Sequence, residues 1–196
     1  MIAMGRFDKE FRPDKEGTGL VSRLYLTKKQ RLSAIKWLLY SLTVVVLSVI
    51  QDVMMCQVTL FGSTTDLVPC CIFAICLLEG ADSGSLFCLL AATVYQFSGT
   101  APGFHIIPLI PFLGVVTSIF RQNYLQKSFA ATILCAGTAT AVYELVVFAA
   151  ALFIEQTHPG RFFTALVTAG LDWLVLPLLY PILASISKIG GETWKE

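Results

Sequence analysis

The sequence predicts an all-α integral membrane protein with six transmembrane helices and both termini in the cytoplasm. Two observations lead to this prediction, the apolar composition and the distribution of charge. Of the 196 residues, 56% are hydrophobic and only 14% are charged, whereas soluble domains carry about 25% charged residues. Residues 83–120 contain no Lys, Arg, Asp or Glu at all. Apolar stretches of this length are typical of helices surrounded by hydrocarbon.

The charge distribution predicts the orientation and the domains. Residues 1–36 contain nine Lys or Arg against four acids, a net charge of +5, and such basic segments mark the cytoplasmic side of a membrane helix. We expect a basic, largely disordered cytoplasmic leader over residues 1–35, a transmembrane domain over 36–188 and a cytoplasmic tail over 189–196. Nucleic acid is not an expected partner, because the basic residues are mixed with acids and lack interleaved aromatic residues.

Six apolar runs, each bounded by turn residues, predict the helices. Helix 2 is the exception in length, because its apolar run of twelve residues is shorter than the roughly 20 needed to cross a bilayer. Asp66 is expected to cap its start, and Pro69 falls in its first turn, where a missing N–H costs little. Glu79 and Asp82 are expected at a solvated turn after it, as cap and turn residues, with contact to a cytosolic partner as the alternative. The predicted helices cover residues 36–56, 66–78, 83–97, 105–120, 128–154 and 162–187.

Three acids fall inside these apolar helices, namely Asp52, Glu144 and Asp172. An acid at the centre of a membrane helix costs about 2.5–3.5 kcal/mol on insertion scales, so each requires a reason. Glu144 and Asp172 fall in the outer halves of helices 5 and 6 at comparable depth and are able to converge on one polar pocket. Three interpretations stay open: structural acids bonded to Ser, Thr or Tyr partners such as Tyr143 or Thr168, a contact with a partner's membrane helix, or a small-molecule or ion site.

A stripe of small residues runs from the turn after helix 2 into helix 3. Gly80, Gly84, Cys88 and Ala92 recur at every fourth position, which places them on one face of a helix. Small residues at this spacing allow the backbones of two membrane helices to approach closely. The stripe therefore predicts a helix-packing or partner-contact surface, and the neighbouring helix belongs either to this chain or to another.

The motifs of enzymes and metal sites are missing from the sequence. There is no phosphate-binding glycine loop, no G-x-S-x-G and no H-E-x-x-H. His105 and His158 lie far apart, and neither has a carboxylate or cysteine at ligand spacing. The six cysteines all lie in apolar stretches, where they are expected to act as packing residues. We therefore expect a non-catalytic protein with no cofactor and no metal.

Several motifs resemble the rod shape-determining protein MreD family. They are Leu-Phe-Gly at residues 60–62, Thr-Asp-Leu-Val-Pro at 65–69, the Gly80-x-x-x-Gly84 series and Ser-Gly at 98–99, and the last helix is also similar over residues 163–181. The resemblance covers about residues 37–188. Helix 3 departs from the family pattern, because many members carry further glycines there and an Asp near its outer end.

The resemblance implies a non-catalytic scaffold of the bacterial cell-elongation (rod) complex in the plasma membrane. Its partners would be an MreC-like membrane protein and, directly or through it, MreB-type filaments, an elongation glycosyltransferase and a class B penicillin-binding protein. The implied fold is a six-helix bundle that resembles the substrate-binding subunit of energy-coupling-factor transporters.

That fold supplies an alternative function, a substrate-binding subunit of an energy-coupling-factor vitamin transporter. Such subunits usually carry an Ala-x-x-x-Ala patch on helix 1, and residues 37–55 contain no alanine. A third possibility is an ion or proton translocator that uses Asp52, Glu144 and Asp172. It has little support, because no predicted span contains a Lys or Arg partner for these acids.

Overall fold

The computed structural model describes residues 28–55, 63–99, 101–125, 128–154 and 157–189. These residues form six α-helices and no β-strand, which confirms the expected all-helical fold for this part of the chain. A π-helical turn, Gln51–Met55, continues the first helix, and a 3-10 turn, Pro159–Arg161, precedes the last. The helices are α1 (Lys28–Ile50), α2 (Leu67–Glu79), α3 (Ala81–Phe97), α4 (Ile106–Tyr124), α5 (Phe129–Phe153) and α6 (Phe162–Ser187).

Four helical segments are long and apolar enough to cross a membrane. They are Gln30–Val53, Ile106–Tyr124, Phe129–Phe153 and Pro159–Ser187. The remaining two helices are shorter, with 13 residues in α2 and 17 in α3. The helices are therefore consistent with a membrane protein, while six complete spans and cytoplasmic termini stay predictions.

The observed helix ends differ from the predicted ones at three places. Helix α1 begins at Lys28, so the last part of the predicted leader is helical. Helix α4 continues to Tyr124, which places Arg121 in a helix rather than in a loop. Gly80 alone separates α2 from α3. The predictions for residues 1–27, 56–62 and 190–196 lie outside the described residues.

Helix α2 forms the centre of the bundle. It contacts all five other helices, and every residue from Leu67 to Leu77 is buried. The other helices expose large apolar side chains on the outside of the bundle, including Leu38 on α1 and Leu174 and Leu178 on α6. Apolar exposure on this scale is rare in water-soluble monomers and is what a bilayer requires of the residues that face its lipid chains.

The predicted stripe of small residues packs against α2 within this chain. A Cβ atom added to Gly84 would lie 2.9 Å from the backbone oxygen of Cys76, so α2 and α3 approach too closely at this point for any larger residue. Cys88 is fully buried, and its Sγ lies 3.8 Å from the carbonyl oxygen of Ile72. Gly80 has φ of 91°, a left-handed conformation that glycine adopts without strain, and it provides the sharp turn between the two helices.

Replacing Gly84 with alanine should destabilise the bundle. The new methyl group meets the rigid backbone of α2, and overpacking of this kind costs roughly 1–3 kcal/mol, which exceeds the helix-propensity gain of up to about 1 kcal/mol. Gly170 is the matched control, because it also lies inside a helix but a Cβ there meets no atom within 4 Å. Thermal unfolding in detergent should show a lower midpoint for G84A and an unchanged or higher midpoint for G170A. Equal midpoints for the two variants would contradict the close packing of α2 and α3.

Candidate functional site

Both ends of α2 lie where polar side chains from other helices gather. A helix of 13 residues is about 20 Å long, whereas the hydrocarbon core of a bilayer is about 30 Å thick. The first N–H groups and last carbonyl groups of a helix have no partners inside that helix. Since α2 is enclosed by its neighbours, these groups need partners from other helices rather than from water.

At its start, α2 receives hydrogen-bond acceptors from α6 and from the π-helical turn. The backbone N–H of Asp66 donates to Asp172 Oδ1 at 3.0 Å, and the backbone N–H of Val68 donates to Gln51 Oε1 at 3.0 Å. Gln51 Nε2 in turn donates to Asp66 Oδ1 at 3.3 Å and lies 3.4 Å from the hydroxyl of Tyr95. Side chains from the π-helical turn and α6 thereby fix the start of the central helix, and Tyr95 from α3 contacts Gln51.

Three carboxyl groups meet at this end of α2, and we refer to Asp66, Glu144 and Asp172 as the acid cluster. Glu144, from α5, lies near Asp66 and Asp172 and interacts electrostatically with both. Glu144 is 9% exposed and Asp172 only 1%. Glu144 Oε1 and Asp172 Oδ2 are buried and face no hydrogen-bond donor among the described residues. No ion pair joins the cluster to a basic side chain within this part of the chain.

The structure thus brings together two of the three predicted acids. Glu144 and Asp172 both interact with Asp66, as their similar predicted depth suggested. Asp52 is half-buried in the π-helical turn beside Gln51, and no hydrogen bond between described residues joins it to the acid cluster. Thr168, one of the suggested partners for the acids, donates to the carbonyl oxygen of Thr164 instead.

Sequence reasoning did not assign Asp66, Gln51 and Tyr95 to this site. Asp66 was expected to cap α2 with its own side chain, but it makes no such bond, and the caps come from Gln51 and Asp172. The available signal was the short apolar run of α2, since a helix that ends inside a membrane needs polar partners at both ends. That signal does not reveal which distant residues supply them.

At the other end of α2, basic side chains approach the last turn. Lys36 Nζ lies 2.5 Å from Glu79 Oε2, and the hydroxyl of Tyr40 donates to Glu79 Oε1 at 2.8 Å. Arg121 donates to the carbonyl oxygen of Leu77. The prediction that Glu79 is a solvated turn residue was wrong, because this residue is 4% exposed and α2 ends inside the bundle. Asp82, two residues into α3, is exposed as expected.

The charges at the two ends complement the dipole of α2. A helix carries partial positive charge at its N-terminus and partial negative charge at its C-terminus. Acids therefore stabilise the Asp66 end, and Lys36 and Arg121 stabilise the Glu79 end. The polar residues at both ends can thus be explained as partners of one buried helix, α2. The unpaired oxygen atoms of Glu144 and Asp172 are not needed for that role.

Comparisons with known proteins do not name a family: no protein-family model, no curated protein and no solved structure matches this chain. The described residues contain no group of three or more His, Cys, Asp or Glu side chains arranged to hold a metal ion. The five described cysteines are buried, and none of them forms a disulfide bond with another described cysteine.

Breaking the buried ion pair between Lys36 and Glu79 should destabilise the protein strongly. Replacing Lys36 with methionine leaves the carboxylate of Glu79 buried with only Tyr40 as a partner, and such uncompensated charges cost roughly 3–5 kcal/mol. The double variant K36M/E79L removes both charges and should recover most of the loss. The measurement is the unfolding midpoint in detergent, with the exposed residue change D82N as control. A small effect of K36M, similar to that of D82N, would show that the pair does not hold the end of α2.

Proposed function

We propose that this chain is an MreD-like, non-catalytic scaffold of the bacterial cell-elongation (rod) complex, located in the plasma membrane. The proposal rests on the positions, within the fold, of the residues that resemble the MreD family. Residues 65–69 form the start of α2, and Gly80 and Gly84 form its turn into α3 and the close contact between the two helices. The shared motifs thus coincide with the parts of the chain that determine the bundle architecture, which supports a common fold with that family.

The outer surface supports function through lateral binding. Helices α1 and α3 enclose an apolar groove of about 100 Å³, lined among others by Val45, Phe87 and Leu90. The groove is lined by apolar residues except Ser41, whose hydroxyl donates to the carbonyl oxygen of Trp37, so this surface offers shape and apolar area rather than reactive groups. A groove between two helices fits the side chains of a third, as a single-span partner such as an MreC-like protein would supply.

In the proposed complex, the MreC-like protein binds the bundle within the membrane. The complex contacts MreB-type filaments on the cytoplasmic side. The elongation glycosyltransferase and the class B penicillin-binding protein bind to the chain directly or through the MreC-like partner. The chain itself performs no chemistry, and its contribution is to hold the membrane helices of the synthesis machinery together.

Site-specific photo-crosslinking tests this proposal. A photoreactive amino acid at Val45 or Leu90, both in the groove, should crosslink to the membrane helix of an MreC-like protein in living cells. The same substitution at Leu174, an even more exposed apolar position on α6, is the control and should give a much weaker product. Depletion of the chain should also convert rod-shaped cells into round ones.

Two results would contradict the scaffold proposal. One is the absence of any crosslink to an MreC-like protein from either groove position together with unchanged cell shape after depletion. The other is co-purification of the chain with a coupling subunit and ATPases, which would favour the vitamin transporter.

The transporter alternative retains one supporting observation. The acid cluster contains buried oxygen atoms of Glu144 and Asp172 that face no described donor, as expected of a polar site in the outer half of such a bundle. If a vitamin binds there, replacing either residue with alanine should abolish its binding in equilibrium dialysis. Unchanged cell growth and shape after both replacements would instead indicate structural acids.

A further inference from the structure

The apolar surface that α3 presents to lipid is short. Its exposed large apolar side chains begin at Leu86 and end at Phe97, a distance of about 17 Å along the helix axis. On α6 the corresponding side chains extend from Phe162 to Ile182, or about 30 Å, which matches the hydrocarbon core of a bilayer. The apolar face of α3 is therefore roughly 13 Å too short to span that core.

Helix α3 is polar where its apolar face is missing. It begins directly after Gly80, beside the end of α2, and exposes Asp82 and Ser83 there. We refer to these two residues as the polar notch. The hydroxyl of Ser83 donates to the carbonyl oxygen of Glu79 at 3.2 Å, whereas no described basic side chain forms an ion pair with the carboxylate of Asp82. The notch therefore exposes a charge that needs polar surroundings.

Helix α1 runs parallel to α3, so heights along the two helices can be compared. In its first half, Lys36 pairs with Glu79 beside the start of α3. In the π-helical turn that follows α1, Gln51 lies 3.4 Å from the hydroxyl of Tyr95, near the end of α3. Both helices therefore run from the end of α2 toward its start.

Helix α1 is apolar at the height of the polar notch. The ring centroids of Trp37 and Tyr40 lie 5.5 and 6.1 Å from that of Phe87, which places these residues at one height. Asp82 precedes Phe87 by about 8 Å along α3, and Leu32 precedes Trp37 by about 8 Å along α1. Because Leu32 is 45% exposed, α1 presents an apolar side chain where α3 presents a carboxylate.

Helix α4, on the other side of α3, is apolar at this height as well. It runs in the opposite direction, because Arg121 near its end donates to the carbonyl oxygen of Leu77 near the end of α2. A Cβ atom added to Gly114 would lie 3.3 Å from Cys88 Sγ, so these two residues lie at one height. Ile119 follows Gly114 by about 8 Å and is 45% exposed. The polar notch precedes Cys88 by about the same distance of roughly 8 Å, so both neighbours of α3 are apolar beside it.

We propose that phospholipid headgroups and water enter the polar notch, so that the bilayer is locally thinned along α3. The notch lies between α1 and α4 at a height where both of them expose apolar side chains. A bilayer adapts to a short apolar face by thinning, and a charged side chain is costly in hydrocarbon. This lipid contact is formed by the chain alone and is therefore independent of the proposed scaffold function.

The charges around the notch favour a zwitterionic headgroup. On α1, Arg31 is exposed and precedes Val45 by fourteen residues, or nearly four helical turns, so both lie on one face. Val45 lines the groove between α1 and α3, which places Arg31 on the side of α1 that faces the notch. The carboxylate of Asp82 attracts an ammonium group, and the guanidinium of Arg31 attracts a phosphate. Phosphatidylethanolamine carries both groups, whereas an anionic headgroup lacks the ammonium.

Fluorescence quenching in liposomes tests whether headgroups and water reach the notch. A fluorescent amino acid is placed at Ser83, and at Leu32 and Ile119 as controls at the same height, in the purified full chain. Iodide in the aqueous phase should quench the label at Ser83 several-fold more strongly than the labels at the two control positions. Bromine atoms attached to the lipid acyl chains should quench in the reverse order.

Each of the other quenching patterns would overturn the proposal. Equal quenching at all three positions would show that the membrane boundary is level around the bundle. Quenching at Ser83 mainly by brominated chains would show that hydrocarbon fills the notch. Protection of Ser83 from both quenchers would show that another segment of the chain or a second copy covers it.

A series of lipids with different chain lengths tests the thinning by a second route. The unfolding midpoint of the wild type should decrease by several degrees as the acyl chains lengthen from about 14 to about 22 carbons, because a thicker bilayer must be thinned further. The variant D82L/S83L extends the apolar face of α3 and should show a weaker dependence. D82N/S83T keeps the notch polar and is the matched control, with the wild-type dependence. A full wild-type dependence in D82L/S83L would contradict local thinning.

Photo-crosslinking identifies the headgroup. In bilayers with equal amounts of phosphatidylethanolamine and phosphatidylglycerol, a photoreactive amino acid at Ser83 should attach several-fold more often to phosphatidylethanolamine. D82N should reduce this preference, because the ammonium group loses its negatively charged partner. An equal yield with both lipids, or a preference for phosphatidylglycerol, would overturn the assignment of the headgroup.

Discussion

The bundle depends on one constraint: its central helix is shorter than a bilayer is thick and is enclosed by protein. Helix α2 contacts all five other helices, and its apolar side chains are buried around the whole circumference. Its terminal N–H and carbonyl groups therefore end among other helices, where an unpaired backbone group is costly. Every other helix contacts it, and three of them, together with the π-helical turn, supply polar groups to its ends.

The two ends solve this problem in different ways. At the Glu79 end, opposite charges pair directly, and Lys36 and Arg121 approach the negative end of the helix dipole. At the Asp66 end, a neutral amide and one carboxylate satisfy the N–H groups, and two further carboxyl groups remain. The Glu79 end is thus closed by an ion pair, whereas the Asp66 end keeps buried carboxyl oxygen atoms of Glu144 and Asp172 that have no described partner.

Close packing and polar capping act together on α2. Gly84 brings α3 against Cys76, and Gly137 leaves room for the indole ring of Trp173 between α5 and α6. These glycines allow α2 and α3, and likewise α5 and α6, to approach one another closely. The small-residue stripe is consequently an internal feature of the bundle, while α1 and α3 expose large apolar side chains such as Leu38 and Leu86 on its outside.

The sequence by itself determined the helical class, the approximate helices and the short length of α2, because apolar runs and turn residues are local signals. It also identified Glu144 and Asp172 as acids whose presence inside apolar helices requires an explanation. Only the tertiary structure decided that Asp66 and Gln51 join them, that Glu79 pairs with Lys36, and that Gly84 packs within the chain. These pairings join residues that are distant in sequence, and which residues meet depends on how the helices are rotated and offset against one another, which no local pattern encodes.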